Sequence, residues 1–359
     1  MGDVVRLKHI DRIRGIAILC MVQVHTAAII PPEGITVGHP IAFISASIGG
    51  MAAPMFVTIS GWGIYRSAKR RWDAISNIQS WFSWILPRVI ILTLCQILVN
   101  ISLNLERGGR FLWMTPGVLT LLAIGSIFGP ALVKLSHRVK LSLLLILMFS
   151  PIFIGDMNGI NLSWTERVSS VGILEWFERL ILSGTYPALP WLSFIVLGCL
   201  IEDLNSNLRK IDPAIKLSLV LIITSVLYSI QQSIPWALTE GEAVLTFFPA
   251  NSMFIFTSGI FVIIIFRILQ GNEIQGGDPA GGDKYSCLEP AGRLSLTIYV
   301  LHFIFLGIIA YYIQDSPRLE IYLAFTVTIV HTAVWIPLAM IHEKYIPKFS
   351  FEELLRIYS

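Results

Sequence analysis

The sequence predicts an all-α, polytopic membrane protein of about ten transmembrane helices, both termini cytoplasmic, forming a single domain over residues 1–359. Three observations carry this. The 359-residue chain is 55% hydrophobic and only 14% charged, against about 25% charged residues in ordinary soluble domains. Mean hydropathy is +0.72, and long uncharged runs recur along the whole chain rather than once, as an anchor would. Lysine and arginine, finally, cluster in alternate connections between those runs.

The runs span about Gly15–Ile30, His39–Tyr65, Trp81–Leu103, Gly117–Leu135, Leu141–Ile154, Tyr186–Ile201, Ala214–Ile230, Asn251–Leu269, Leu294–Ile313 and Leu319–Ile341. A helix crosses the roughly 30 Å hydrocarbon core with about 20 apolar residues; the fifth and sixth runs are the shortest. The first ends at Pro31-Pro32 without a small-residue cleavage site, which predicts a retained helix rather than a signal peptide. In the second, Ser60-Gly61-Trp62 reads as a close-packing feature as readily as a nucleophile. The third carries Pro87-Arg88. Between the fifth and sixth, Trp164 to Leu182 mixes Glu, Arg and Trp with apolar positions, the composition of an amphipathic helix lying at the interface. Between the eighth and ninth, Gly271 to Glu289 is rich in Gly, Asp and Pro and reads as a loop.

An even number of spans puts both termini on one side, and basic residues indicate which. Of the 26 Lys and Arg, 20 fall at the termini and in the connections of the terminal side, from Arg6 to Arg356. Only Arg107, Arg110, Arg167, Arg179 and Arg318 fall on the other side, and Arg88 lies inside the third run. Misplacing one helix would scramble every later loop, so the asymmetry supports the count as well as the orientation. Cys20, Cys95, Cys199 and Cys287 stand singly, with neither disulfide nor metal-ligand spacing, so no metal is expected. Walker, dinucleotide-binding and Gly-x-Ser-x-Gly patterns are absent. Basic residues scattered over six segments give no nucleic-acid surface. Matched broken helices, as in many secondary transporters, are not visible.

Ionisable residues inside the apolar runs are where function is expected, because they are costly there. On a helix, His25 lies about 16 Å from Arg14, His302 about 13 Å from Arg293, and His331 about 18 Å from Leu319. All three histidines are thus at comparable depth, and they converge if the first and last two helices are neighbours. The alternative for His302 and His331 is that each satisfies a backbone carbonyl at a helix contact. Arg88 must meet an anion, a carbonyl or water. With Arg12, Arg14, Arg70 and Arg71 it forms a rim suited to phosphate groups, although anionic lipid attraction explains Arg70 and Arg71 equally well. Glu240, Glu242, Asp156 and Asn158 at the other face suit a polar acceptor such as a sugar, or are simply solvated.

Several segments, in order, resemble the transmembrane acyltransferase superfamily that includes the heparan-alpha-glucosaminide N-acetyltransferase domain and the acyltransferase-3 sugar O-acyltransferases. Asp11-Arg-Ile-Arg14-Gly15-Ile-Ala is similar to the start of the family's first helix. Arg14 and His25, ten residues between them, reproduce the acyltransferase-3 spacing. Pro54-Met-Phe56-Val-Thr-Ile-Ser60-Gly61, Gly117-Val-Leu-Thr-Leu-Leu-Ala-Ile, Tyr186-Pro-Ala-Leu-Pro190-Trp191 with Gly198, Gly292-Arg-Leu-Ser295-Leu-Thr-Ile-Tyr299 and Phe351-Glu-Glu-Leu-Leu-Arg356 resemble later motifs. Each motif is loose by itself; the ordered set covers nearly the whole chain.

The resemblance implies an acyl-CoA donor, usually acetyl-CoA, bound from the cytosol, and a carbohydrate or glycoconjugate acceptor at the outer face of a membrane, for this chain a prokaryotic plasma membrane, with homo-oligomers possible in the family. It implies His25 as general base or acyl carrier, with His302 opposite it. Arg14 and Arg88, supported by Asp11, Arg70 and Arg71, would hold the CoA. Heparan-type enzymes instead carry the catalytic histidine near the first luminal loop, which makes His39 the reserve. The rival class is a proton-coupled transporter using the buried histidines as a relay; a third is a membrane subunit whose polar residues only join helices.

Overall fold

Apolar sequence turns the first run into a helix, α1 (Lys8–Ile29), which begins before Gly15 because His9, Asp11 and Arg12 are buried in protein. The second run is one span, Pro40–Arg71, whose helical hydrogen bonding is interrupted at a single residue. It breaks at Met51 into α2 (Pro40–Gly50) and α3 (Ala52–Arg71), the Gly49-Gly50 pair just before the break being poor helix formers. Next come α4 (Ile78–Ser102), α5 (Val118–Lys134) and α6 (His137–Ile154). The 164–182 stretch also departs from the single amphipathic helix expected. It forms α7 (Trp164–Val168), α8 (Gly172–Glu178) and a π-helical turn, Arg179–Ser183. Gly172, at φ +85°, interrupts it in a conformation that glycine alone takes readily, and a Ser163–Glu166 capping box fixes the start of α7.

After α9 (Ala188–Asp203) and α10 (Asp212–Gln232), two four-residue strands, β1 (Ala237–Glu240) and β2 (Leu245–Phe248), pair with Ala237 opposite Leu245. Then follow α11 (Ser252–Ile274), the short α12 (Leu288–Arg293), α13 (Ser295–Ile313), α14 (Ile321–Tyr345) and α15 (Phe351–Tyr358). This computed structural model describes residues 7–34, 39–71, 78–204, 212–274, 285–313 and 319–358. Most of the Gly271–Glu289 loop, and Arg6, Arg209, Lys210, Lys284 and Arg318, lie outside the described residues.

Among the described residues, eight helices or joined helix pairs are long and apolar enough to cross a membrane. Gly172–Ser183 with Ala188–Asp203, bent by 53°, makes a ninth if it is one span, and Val118–Lys134 is a shorter apolar helix. The outward faces carry bare aliphatic and aromatic side chains, among them Leu94, Ile152, Phe153, Ile223 and Val330. Exposed apolar area of that extent is a liability in water and the proper surface in lipid, so the chain is an all-α polytopic membrane protein.

Small residues set how closely the helices cross. A side-chain carbon built on Gly292 would fall 1.8 Å from the Asp11 carbonyl oxygen, and one on Gly15 would fall 2.3 Å from that of Leu288. The α1 and α12 backbones therefore touch, and Arg12 Nε and Nη2 both donate to Glu289 Oε1 across the contact, at 3.0 and 2.8 Å. Gly61 and Gly198 do the same between α3 and α9. Close approach through glycine is how membrane helices gain packing contacts when lipid offers no hydrophobic drive. Gly292→Val is expected to cost about 1–3 kcal/mol by overpacking, read as a lower thermal midpoint of the detergent-purified protein. An unchanged midpoint would mean that α12 is free to move.

Charged groups tie the helices at the end where α1 begins. Lys140, 2% exposed, donates to both Asp203 and Tyr65 Oη, and Tyr65 donates to Asp203 at 2.8 Å. Arg66 meets Glu202, and Arg293 meets Glu343 at 2.6 Å. The amphipathic α15 folds back under this end. Glu352 accepts from the Leu296 and Thr297 amides and from the Thr297 hydroxyl, capping α13. Burial pushes the Glu352 carboxyl up from its ordinary range, against those three hydrogen bonds.

Candidate active site

α1, α13 and α14 bring the three mid-depth histidines into one neighbourhood, with different duties. Thr26 Oγ1 donates to the Val22 carbonyl at 2.6 Å, so it can only accept from His331 Nδ1, 2.7 Å away. The Trp335 indole N–H points at the other His331 nitrogen at 3.4 Å. Both nitrogens of His331 are thereby committed, and the residue joins α14 to α1. Its partner is a hydroxyl, not the backbone carbonyl expected from sequence.

His302 is fully buried, and its Nδ1 lies 2.9 Å from the Ile298 carbonyl oxygen. A carbonyl oxygen only accepts, so Nδ1 carries the proton and, in the neutral ring, Nε2 carries the lone pair. That nitrogen faces His25 Nδ1 at 2.8 Å. His25 must therefore donate through Nδ1, which leaves the lone pair on its Nε2. This tautomer follows from a chain of two hydrogen bonds anchored on a backbone oxygen. His25 is only half-buried, and its Nε2 has no hydrogen-bond partner among the described residues. His302 thus does what its carbonyl reading expects with one nitrogen, which meets Ile298, while the other nitrogen holds His25.

Aromatic rings frame the pair. Phe303 lies 4.3 Å from the His25 ring, with Tyr299 at 6.4 Å and Phe56 stacked on Tyr299. From Phe303 a continuous run leads through Phe111, Trp164 and Phe248 to Tyr186, each ring within 6.4 Å of the next. It ends among the loops and β2, at the end of the bundle opposite the Lys140 cluster.

Toward that cluster, α1 carries Arg14 about 16 Å along the axis from His25, half the length of the helix. Gly63 of α3 leaves it room: a side-chain carbon there would sit 3.4 Å from Arg14 Nη2. Arg88, in α4 just after Pro87, donates through Nε to Ser126 Oγ of α5 at 3.1 Å and lies within electrostatic range of Arg14. Four helices thus hold two guanidinium groups near each other, the arrangement in which an anion between them relieves repulsion. Asp11 is buried, and Arg293 Nη1 lies 3.9 Å from it. Arg70 and Arg71 lie exposed on the last turn of α3, about 10 Å along the axis beyond Gly63, with Arg71 over the Trp84 ring at 5.4 Å. Arg12, grouped with this rim by sequence, is instead taken by Glu289.

His39 stands immediately before α2, its Nδ1 buried without a hydrogen-bond partner among the described residues. The contacts of His25 are with His302, Tyr299 and Phe303, so His39 is not brought to it. Groups of His, Cys, Asp or Glu able to hold a metal are absent among the described residues. Sequence reasoning passed over Arg110, in the loop between α4 and α5, whose charge reaches His25. Its signal was present: an arginine beside Phe111 in a connection where the charge asymmetry leaves few basic residues.

A helical membrane bundle with a half-buried, oriented imidazole between a paired-arginine end and an aromatic-lined end is the frame of a membrane-embedded group-transfer enzyme. The chain belongs to the acyltransferase-3 family: the sequence model of that family, described as an acyltransferase domain, matches residues 7–340. A comparison with curated proteins finds no match. The protein is thus a multi-pass membrane acyltransferase, and α15 lies beyond the matched region.

Proposed function

We propose that this enzyme moves an acetyl group from acetyl-CoA, entering from the cytoplasm, to a hydroxyl or amine of a sugar or glycoconjugate at the outer face of a prokaryotic plasma membrane. The observation that carries this is the His25–His302 pair, because it leaves a lone pair on a half-buried nitrogen and holds the other nitrogen protonated. In this reading both termini are cytoplasmic, so that Arg14 and Arg88 face the side from which a charged CoA arrives. Its phosphates stay with these arginines while the uncharged pantetheine arm runs along α1 toward His25.

His25 Nε2 then takes the proton of the acceptor O–H or N–H as that atom attacks the thioester carbonyl. The new C–O or C–N bond forms, the C–S bond breaks, and the proton passes to the departing CoA thiolate. His302 does not exchange a proton with solvent in this scheme; it fixes the His25 tautomer, as an orienting partner does in hydrolytic triads. The same hydrogen bonds weigh against a proton relay, since the chain from His25 through His302 ends on the Ile298 carbonyl oxygen, which has no proton to pass on.

The test is to incubate the protein in lipid nanodiscs with acetyl-labelled acetyl-CoA and a membrane glycoconjugate extract, following free CoA and label together. Stoichiometric CoA release with label in the carbohydrate fraction is expected. Proton-coupled solute uptake by proteoliposomes without acetyl-CoA binding would replace this reading with the transporter.

A further inference from the structure

The arginines on the outer side of the bundle are used in different ways. Arg167 is buried and gives Nη1 to the Ser183 carbonyl at 2.9 Å and Nη2 to the Gly159 carbonyl at 2.6 Å. Arg179 is equally committed, to Glu175, Glu178, Ser183 and two backbone carbonyls. Both hold the 155–187 loop together. Arg110 is different. Its guanidinium carbon lies over the Trp164 ring, 4.4 Å from the centroid, and Trp164 is fixed beneath it by an indole hydrogen bond to the Arg110 carbonyl at 2.9 Å.

Among the described residues, neither a carboxylate nor a carbonyl accepts from the Arg110 side chain. A half-buried guanidinium normally meets such a partner, because its five N–H donors lose water on burial. Glu240 and Tyr186 are near enough to be felt and too far to pair. Burial pulls the Arg110 guanidinium down from its ordinary value, and those two groups only partly restore it. A guanidinium over a tryptophan ring is held there by the attraction of the cation to the ring face, and N–H groups that no carboxylate or carbonyl among the described residues accepts from are suited to take a carboxylate or phosphate bidentately.

The position of Arg110 relative to the base matters as much. The line from His25 runs over Phe303 and Phe111 to Trp164, and Arg110 caps it. Trp164, Phe248 and Tyr186 cluster beside it, edge to face, and aromatic rings are the surfaces on which the apolar faces of sugar rings pack. Arg14 and Arg88 lie at the other end of α1 and α4, so Arg110 is a separate cationic point on the acceptor side.

We propose that Arg110 selects an anionic acceptor: the group acetylated at His25 belongs to a saccharide that also carries a carboxylate or phosphate, which Arg110 binds over Trp164. This rests on the acyltransferase reading above and names its acceptor class.

The test measures probe binding without donor, so that it stands apart from the test of the donor. Methyl β-glucuronide, glucose 1-phosphate and methyl β-glucoside are titrated by calorimetry into the full chain in nanodiscs, with the wild type, Arg110→Gln and Arg110→Lys. A charge-assisted pair predicts that one of the two anions binds at least about tenfold more tightly than the neutral glucoside. The glucuronide leading would identify a carboxylate acceptor, and the phosphate leading a phosphorylated one. Arg110→Gln should erase the preference and Arg110→Lys keep part of it, and acetyl-CoA binding by each variant shows that it is folded. Equal binding of all three probes, no binding of any, or a preference that survives Arg110→Gln overturns the proposal. Loss of acetyl-CoA binding by the wild type would instead overturn the donor reading alone.

Discussion

His25→Ala is expected to lower acetyl transfer by about 10²–10⁴-fold, the usual contribution of a positioned general base, while acetyl-CoA binding stays within about twofold of the wild type. The donor contacts are assigned to Arg14, about 16 Å along α1, and to Arg88 on α4, so truncation at His25 leaves them in place. His302 supplies the sharper form of the prediction. It has no path to the reacting atoms except through His25 Nδ1, so His302→Ala removes orientation rather than the base. His25 can then adopt the other tautomer and rotate. The expected loss is in turnover and smaller than for His25→Ala, with little change in the Michaelis constant for acetyl-CoA. His302→Gln, whose side-chain oxygen can still accept from His25 Nδ1, should recover part of the rate. A merely structural His302 would give unfolded Ala and Gln variants alike, seen as loss of the monodisperse chromatographic peak. Full transfer by His25→Ala would move the search for the base to His39, whose buried Nδ1 has no hydrogen-bond partner among the described residues.

Much of this arrangement is legible in the sequence because lipid imposes one strong rule, that long apolar runs become helices. Each of the ten apolar runs coincides with a helix or a pair of helices, and counting at 1.5 Å per residue places His25, His302 and His331 at a common depth. Counting along a helix says nothing about rotation around it. Which nitrogen of His302 meets Ile298, and hence where the His25 lone pair lies, is set by how α13 is turned against α1. The break at Met51 and the fragmentation of 164–182 are set in the same way, by tertiary contacts such as Trp176 Nε1 donating to the Met114 carbonyl and by single glycines. Hydropathy registers neither. Arg12 shows the limit from the charged side: it counts toward the positive terminal side, yet it is 2% exposed and locked to Glu289. A rule based on the number of cations cannot tell a solvated arginine from one buried against a carboxylate 277 residues away. Arg110 shows the complementary limit: its place beside Phe111 is legible in the sequence, but that it meets no carboxylate among the described residues is not.

Arg14→Ala is expected to weaken acetyl-CoA binding by about 10–100-fold, the range for removing a charge-assisted hydrogen bond from a half-buried site. Arg88→Ala should act in the same direction. The two effects should not add, because the groups share one electrostatic neighbourhood and, in this reading, one anionic ligand. Without the ligand their mutual repulsion is a cost, and removing one relieves the other. Binding should also weaken as salt rises, through screening of the attraction between phosphates and arginines, and the salt dependence should flatten in the Arg14 variant. S-acetylpantetheine separates this from general damage to the site. It keeps the thioester and the arm but lacks the nucleotide phosphates, so its binding should be the same in the wild type and in Arg14→Ala. A parallel loss for both donors would show that Arg14 supports the helix packing around Gly63 rather than the phosphates. Insensitivity of both would place the phosphates elsewhere, at Arg70 and Arg71 on the exposed turn of α3, and the pantetheine arm would then need a longer course to reach His25.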